Sequence, residues 1–133
     1  MIPRYRVWHH ELGRLMSVKC MFFHDSEIEE FELNDALMND YITAYPDEIV
    51  LMQSTGLKDK NDKEIFEGDI LACETDNEVI NLNVFWDEEH ALFMFESKKY
   101  NEQEPLAELV ENNTYPFEII GNIYENPDLL EDK

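Results

Sequence analysis

The feature that most constrains the fold is an alternation of apolar and polar side chains in the second half of the chain. Apolar residues occupy every second position from Ile80 to Trp86, and Asn81 and Asn83 lie between them. Successive side chains of a β-strand point to opposite faces of a sheet, so a period of two predicts a strand with one buried face. We therefore predict a half-buried strand over residues 79–86.

Further short runs of β-forming residues, separated by turn residues, extend this pattern along the chain. They predict strands at residues 4–8, 15–24, 27–33, 48–53, 64–66, 70–74, 91–95 and 117–124. Two short helices are also predicted. Asn34 would cap the first, with Leu33, Leu37 and Tyr41 facing the core. Pro105 would lie in the first turn of the second. Asn126 would cap a final turn.

The predicted fold class is mainly β (α+β), with a small SH3-like or barrel-like sheet as its core. At 133 residues and 44% apolar composition, the chain is long enough for one compact domain with a real core. We predict that this domain, residues 1–133, has two lobes. Residues 1–50 would form a hairpin plus helix, and residues 51–133 the barrel-like lobe.

Charge is the strongest global property of the chain. There are 31 acidic residues against 10 basic ones, which gives a formal net charge of -21. Residues 25–48 contain nine acidic residues and no lysine or arginine. Such a surface repels phosphate backbones, so direct binding to nucleic acid is disfavoured. The acidic surface serves either solubility, a basic partner, or mimicry of nucleic acid towards a DNA-binding protein.

The sequence also carries information about the compartment. No apolar window approaches the length of a membrane span, and the first ten residues lack the apolar stretch of a signal peptide. We predict a cytoplasmic protein without membrane contact. Cys20 and Cys73 stand alone in the sequence, which favours reduced thiols acting as small core hydrophobes.

The segment 55–71, TGLKDKNDKEIFEGDIL, is dense in carboxylates and invites a calcium or catalytic interpretation. An EF-hand loop that began at Asp59 would need glycine and a bidentate acid where Glu64 and Ile70 stand, so the calcium motif fails. Acidic pairs alone carry no catalytic signal in so acidic a chain. The turn interpretation fits best, because Asn61 and Asp62 tolerate left-handed backbone.

Three segments resemble the YopX protein family, which is encoded mostly by phages and prophages. They are LMQSTGLKDKNDKEIFEGDIL in the middle, RYRVWHHELGRLM at the start and FEIIGNIYENPDLLE at the end. Asp62 departs from the usual family form, which reads Asn-Gly. The resemblance implies phage origin and a compact, mainly β domain. It implies no established activity, and there are no accepted catalytic residues to transfer.

The remaining candidate sites have simpler interpretations. The His9–Glu11 and Asp87–His90 segments are predicted to be surface turns rather than metal sites. Trp86 is predicted to lie in the core, and Trp8 in the core or at an interface. No nucleotide-binding, hydrolase or other catalytic motif is found. We expect no enzyme activity, no catalytic residues, no metal and no cofactor.

One strand face suggests an interaction surface. Arg4, Arg6 and Trp8 alternate with other side chains, so all three would face an acidic partner from one side. That partner would be a host or phage protein, or a second copy of this chain in a homo-oligomer. We therefore predict an accessory protein of the bacterial host cytoplasm that acts by protein–protein contact.

Three alternatives stay open at this stage. The first is an acidic nucleic-acid mimic that inhibits a host DNA-binding protein. The second is a small-molecule-binding or enzymatic β-barrel with a pocket lined by Trp86, Phe93 or Phe95. The third is direct DNA or RNA binding through the basic N-terminal strand.

Overall fold

The strand pattern of the sequence is present in the computed structural model, which describes residues 2–112 and 115–131. The strands in these ranges are β1 Tyr5–His9, β2 Arg14–His24, β3 Glu27–Asp35, β4 Asp40–Ala44, β5 Ile49–Lys58, β6 Glu64–Phe66, β7 Asp69–Glu74, β8 Val79–Asp87, β9 Leu92–Ser97, β10 Glu102–Pro105 and β11 Phe117–Asn122. The helical elements are α1 Leu106–Asn112 and two 3₁₀ helices, Pro46–Glu48 and Pro127–Leu130. The mainly β prediction is confirmed.

The first of two compact units comprises Ile2–Gln53. Its strands form an antiparallel sheet in the order β4-β3-β2-β1-β5. Alternate residues of these strands share one face, and that face forms a buried apolar cluster. Its buried members are Val7, Met16, Phe31, Leu33, Ala44 and Ile49. Gly13 has a φ of +64° in the turn between β1 and β2, as its predicted turn position requires.

The second unit comprises Ser54–Lys133. Five antiparallel strands lie in the order β10-β9-β8-β7-β11, and short β6 pairs with the second half of β5. Leu106 at the start of α1 is fully buried, and Leu109 and Val110 pack against the same cluster. The other buried members are Ile65, Leu71, Cys73, Leu82, Val84, Phe95 and Phe117. The helix predicted near Pro105 is therefore confirmed, beginning one residue later.

Strand β5 passes through the boundary between the two units. Its first half pairs with β1, with Gln53 opposite Tyr5, and its second half pairs with β6, with Ser54 opposite Phe66. The boundary therefore falls inside a continuous strand rather than in a loop.

The helix predicted after Asn34 is wrong. Asn34 lies in β3, opposite Ser17 on one side and Tyr41 on the other. The chain then turns back at Asn39, whose φ is +51°. Leu37 and Tyr41 are therefore 78% and 52% exposed, and of the three predicted core residues only Leu33 is buried. The four-residue spacing is coincidental here, because the strand pairing on both sides of Asn34 decides the local structure.

The barrel expectation is wrong in its closure. In the described ranges, each sheet ends in edge strands that do not pair with each other, so neither closes into a barrel. Nothing in this strand order confirms the SH3-like expectation. A single α-helix is present in those ranges, not the two that we predicted.

Two smaller expectations need correction. Trp86 is 40% exposed rather than buried in the core, because its side chain lies near the end of β8, outside the buried cluster. Asn126 precedes the final 3₁₀ helix as predicted, but its side chain makes no cap. Its Oδ1 instead accepts a hydrogen bond from the backbone N–H of Asn122 at 3.2 Å.

In the part of the chain that the structure describes, no helix has both the length and the apolar character needed to cross a bilayer.

Candidate interaction surface

Arg6 and Trp8 point to the same side of the N-terminal sheet. They are two residues apart on β1, and the intervening Val7 belongs to the buried cluster on the opposite side. Both are half-buried, and β1 lies between β2 and β5 in the sheet. Arg4 precedes β1 and is exposed. The structure therefore brings Arg6 and Trp8 onto one face, and a binding role for the three residues stays a prediction.

From β1 to β4 the face that carries Arg6 is exposed or half-buried, and we call this part the exposed face. On β5 the same face is buried, because Met52, opposite Arg6, is 2% exposed. Arg6 lies opposite Ser17, Ser17 opposite Asn34, and Asn34 opposite Tyr41. The Asn34 amide donates to the Ser17 hydroxyl at 3.2 Å, which links the middle of this row. Tyr41 lies on the edge strand β4 and is 52% exposed. The row therefore runs from a basic, half-buried centre to an aromatic edge.

A cation sits on the aromatic ring of Tyr41. Lys19 is the extra residue of a β-bulge between Val18 and Cys20, and its ammonium lies 3.6 Å from the centroid of that ring. The same ammonium is 3.9 Å from a carboxylate oxygen of Glu32. A cation over a ring face gains electrostatic energy from the π-system. One lysine is thus held jointly by an aromatic ring and a carboxylate.

Two rows further along the exposed face, beyond the row of Glu32, lie two more exposed aromatic residues. Phe22 pairs with Glu30 across β2 and β3. Phe31 pairs with Ala44, the last residue of β4. Tyr45 follows in extended backbone, and an extension of the same register by one residue would bring it beside Glu30. Phe22 is 46% exposed and Tyr45 is 50% exposed. Sequence reasoning missed this row, although the period of two in β3 places Glu30 and Glu32 on the face opposite Phe31 and Leu33.

The carboxylate-rich segment 55–71 is a pair of turns, as predicted. Asp62 has a φ of +64° and Gly68 a φ of +85°. The carboxylate of Asp59 accepts backbone N–H groups from Asn61, Lys63 and Ile119, each at 2.9 Å. Asp69 is also buried, and its carboxylate accepts the N–H of Phe66 at 2.8 Å. These two carboxylates therefore hold the backbone of the turns.

The three donors to Asp59 change its acidity. Burial by itself raises the pKa of this carboxyl, but the N–H groups of Ile119, Lys63 and Asn61, together with the charge of Lys63, outweigh burial. The pKa of Asp59 therefore lies below its ordinary value. A carboxylate with several backbone donors is a structural anion rather than a proton-transfer group at neutral pH.

The hairpin tip after β8 groups the residues that best resemble metal ligands. Ligand atoms of Asp87, Glu89 and His90 lie within 4.8 Å of one another. His90 Nδ1 and an Asp87 carboxylate oxygen are 2.7 Å apart, and this contact is the main reason that the pKa of Asp87 is lowered. His90 and Glu89 are exposed. The tip is the solvated turn that we predicted, with an internal His–carboxylate pair.

The predicted turn at His9 is only partly correct. His10 begins the turn, but His9 is the last residue of β1 and is buried. Its Nδ1 accepts a hydrogen bond from the backbone N–H of Leu12 at 3.1 Å, and this bond stabilises the turn. That nitrogen is therefore engaged by the backbone.

The three aromatic residues expected to line a pocket do not surround a common space. Trp86 and Phe93 are cross-strand neighbours that contact edge to face, with centroids 4.9 Å apart, while Phe95 belongs to the buried cluster. An open groove of about 250 Å³ lies instead beside the final 3₁₀ helix. Its lining includes Asn81, Lys98, Lys99 and Leu129. Both lysines share that groove with Asp128 and Glu131.

Comparison with protein families gives a match to the YopX protein family over residues 4–131. The chain belongs to the YopX family. The fold is similar to the crystal structure of protein EF1440 from Enterococcus faecalis, at 25% identity and a TM-score of 0.65, covering 98% of this chain and 99% of that chain. A crystal structure of YopX from Bacillus subtilis is similar at 18% identity and a TM-score of 0.62, covering 96% and 98%. At 18% identity, the likeness concerns the fold alone. A search of curated proteins finds no match.

Proposed function

We propose that this YopX-family protein is a non-enzymatic accessory protein of a phage or prophage that acts by protein–protein contact through its exposed face. The observation that carries the proposal is the exposure of three aromatic side chains on one sheet face. Phe22, Tyr41 and Tyr45 are 46%, 52% and 50% exposed. Aromatic residues are enriched in protein interfaces because a ring contributes a large contact area with few rotatable bonds.

The charge of the chain supports a protein partner over a nucleic acid. Aromatic residues on a sheet also serve as stacking platforms for single strands, but such platforms lie in positively charged grooves. Here Glu30 and Glu32 occupy the same face as the aromatic rings, and the chain carries a net charge of -21. A phosphate backbone would be repelled from this face.

The test is affinity capture from nuclease-treated host lysate with the immobilised protein. We expect a retained protein that is lost with the double substitution Phe22→Ser/Tyr45→Ser and kept with Val79→Ser. Val79 is 59% exposed in the C-terminal unit, so Val79→Ser removes exposed apolar surface outside the exposed face. An unrelated protein of equal acidity controls for retention by charge. Identical retention by wild type and double variant would rule out the exposed face as the contact surface.

The nucleic-acid-mimic alternative is supported by the glutamates of β3. Glu27 and Glu29 are exposed, and Glu30 and Glu32 are half-buried. A mimic would retain a DNA-binding enzyme and inhibit it, and duplex DNA would release that enzyme from the column. Inhibition that survives amide substitution of these four glutamates would count against mimicry.

The open groove beside the final 3₁₀ helix keeps a small-molecule function as another candidate. With about 250 Å³, it is below the range of most ligand pockets. A thermal-shift screen with metabolites and nucleotides tests it directly, and an unchanged melting temperature throughout would remove this candidate.

A further inference from the structure

We infer that the partner of the exposed face is a separate protein that presents an arginine or lysine side chain, and that this cation binds between Phe22 and Tyr45 over the carboxylate of Glu30. The inference rests on the proposed function, because it names the chemistry of the partner at that surface. It goes further by assigning a position and a charge to the group that binds.

The exposed face contains its own example of this contact. The Lys19 ammonium lies 3.6 Å from the centroid of the Tyr41 ring and 3.9 Å from an oxygen of Glu32, although Tyr41 and Glu32 belong to adjacent rows. The Tyr41 ring and the Glu32 carboxylate therefore both contact one cation, Lys19. The cation is supplied by the bulge residue of β2, which is possible because the bulge lets Lys19 lie beside the Glu32 pairing.

The row of Glu30, next to that of Glu32, also combines a carboxylate with aromatic side chains, but it has no cation among its described residues. Phe22 pairs with Glu30 on one side, and Tyr45 follows the last residue of β4 on the other side in extended backbone, so we infer that two aromatic rings flank one carboxylate. Within the described ranges 2–112 and 115–131, no lysine, arginine or histidine is within ion-pair distance of Glu30. No residue that the structure describes in this row supplies a cation to Glu30 as Lys19 does to Glu32. A side chain from outside can therefore complete it.

The surrounding charge favours a cation at this place. Glu27, Glu29 and Glu32 share β3 with Glu30, and the 25–48 segment contains no lysine or arginine. Arginine suits the position better than lysine because its planar guanidinium can stack on one ring while it donates two hydrogen bonds to a carboxylate. An anionic partner would meet four carboxylates on one strand.

The test uses synthetic peptides of known charge rather than an unidentified ligand. The probe is a capped nonapeptide of alternating glycine and arginine, and its citrulline counterpart keeps the shape without the charge. Binding is followed residue by residue with nuclear magnetic resonance on the isotope-labelled protein. We expect the arginine peptide to shift the resonances of Phe22, Glu30 and Tyr45, and the citrulline peptide to leave them unchanged.

Matched variants separate a specific contact from attraction to an acidic protein. Glu30→Gln and Glu29→Gln have the same net charge, but Glu29 lies in a bulge without a partner across β2. We expect Glu30→Gln to weaken the arginine peptide roughly fivefold, and Glu29→Gln to weaken it less than twofold. Tyr45→Leu should weaken it similarly, and Tyr45→Phe, which keeps the ring, should restore binding.

The outcomes distinguish this inference from the proposed function. Equal weakening by Glu30→Gln and Glu29→Gln would overturn the inference, because it would reveal attraction by overall charge. Lysate capture that depends on Phe22 and Tyr45 but is unaffected by Glu30→Gln would keep the interaction surface and overturn the cation. Peptide binding that depends on Glu30, with empty lysate columns, would support the cation and weaken the proposed function. A light-scattering mass of two chains that falls to one in Glu30→Gln would overturn the separate partner in favour of a second copy.

Discussion

A carboxylate oxygen of Asp59 accepts the backbone N–H of Ile119 at 2.9 Å, across 60 residues of chain. The other oxygen accepts the N–H groups of Asn61 and Lys63 within the same turn. One side chain therefore closes a loop locally and fastens it to β11. In the sequence, the carboxylates of this segment resembled a calcium-binding or catalytic cluster.

Asp59→Asn should destabilise the protein. The amide retains one acceptor oxygen but presents an NH₂ group where the carboxylate received a donor, so a buried N–H loses its partner. We expect a loss of about 1–3 kcal/mol in the free energy of unfolding, measured by urea denaturation. Asp62→Asn removes one charge from an exposed position of the same segment and provides the control. A midpoint for Asp59→Asn that equals the control would contradict this role.

The pH dependence of stability should differ between wild type and Asp59→Asn. The folded-state pKa of Asp59 is depressed below the ordinary value of 3.8, so its contribution is complete above that value. It is lost as the pH falls through the lower folded-state pKa. Acidification also relieves repulsion among 31 acidic residues, which acts in the opposite direction. The difference in unfolding free energy between the two proteins, measured from pH 6 to pH 2.5, should therefore shrink towards acid. A constant difference would show that Asp59 does not titrate as described.

Asp35 should contribute to the same acid sensitivity. Its pKa is lowered first by the hydrogen bond from Arg14, and also by the charge of Arg14 and the backbone N–H groups of Met38 and Leu37. Because a depressed pKa gives stability that disappears towards acid, Asp35→Asn should flatten the acid limb of the unfolding curve. Asp40→Asn, in the adjacent strand β4, is the comparison. The same slope in Asp35→Asn and wild type would refute this contribution.

Asp62→Gly should stabilise the protein. Asp62 adopts a φ of +64°, and its exposed pair with Lys58, 3.5 Å away, contributes little. Glycine takes this backbone without steric strain, so we expect a gain of up to about 1 kcal/mol in unfolding free energy. Asp62→Ala keeps the strain and loses the pair, so it should be less stable than wild type. A melting temperature for Asp62→Gly below that of Asp62→Ala would argue against strain at this turn.

The two cysteines should differ in reactivity. Cys73 is 5% exposed, and burial, together with the neighbouring charge of Glu74, raises the pKa of its thiol. Cys20 is only half-buried on the exposed face, opposite Glu32. A maleimide reagent should therefore modify Cys20 rapidly in the native protein, and both Cys20 and Cys73 in urea. Mass spectrometry identifies the site, and rapid labelling that persists in Cys20→Ser would contradict the assignment.

Sequence reasoning succeeded where a local pattern determined the local structure. The alternation in residues 79–86 became β8, and the glycine and Asp62 turns took the left-handed backbone expected of them. It failed at Asn34, where a helical spacing competed with pairing partners that are distant in sequence. It also misjudged Trp86, because alternation predicts a face but not the point where a sheet stops being covered.

The candidate site was predictable only in part. Arg6 and Trp8 were assigned to one face from spacing alone, and the structure places them there. The rows that contain Tyr41 and Tyr45 depend on the register between β2, β3 and β4, which a bulge at Lys19 shifts by one residue. A one-residue shift moves every later side chain to the other face, so no single-strand pattern could reveal these rows.

Strand β5 has a consequence for how such a protein can vary in evolution. The unit boundary falls between Gln53 and Ser54, inside β5. A genetic crossover at that point would take the half of β5 that pairs with β1 from one parent and the half that pairs with β6 from the other. Most domain boundaries lie in loops, where recombination leaves the hydrogen-bond ladders intact. Here a crossover would produce one strand from two different parents, so we expect the two units to be inherited together.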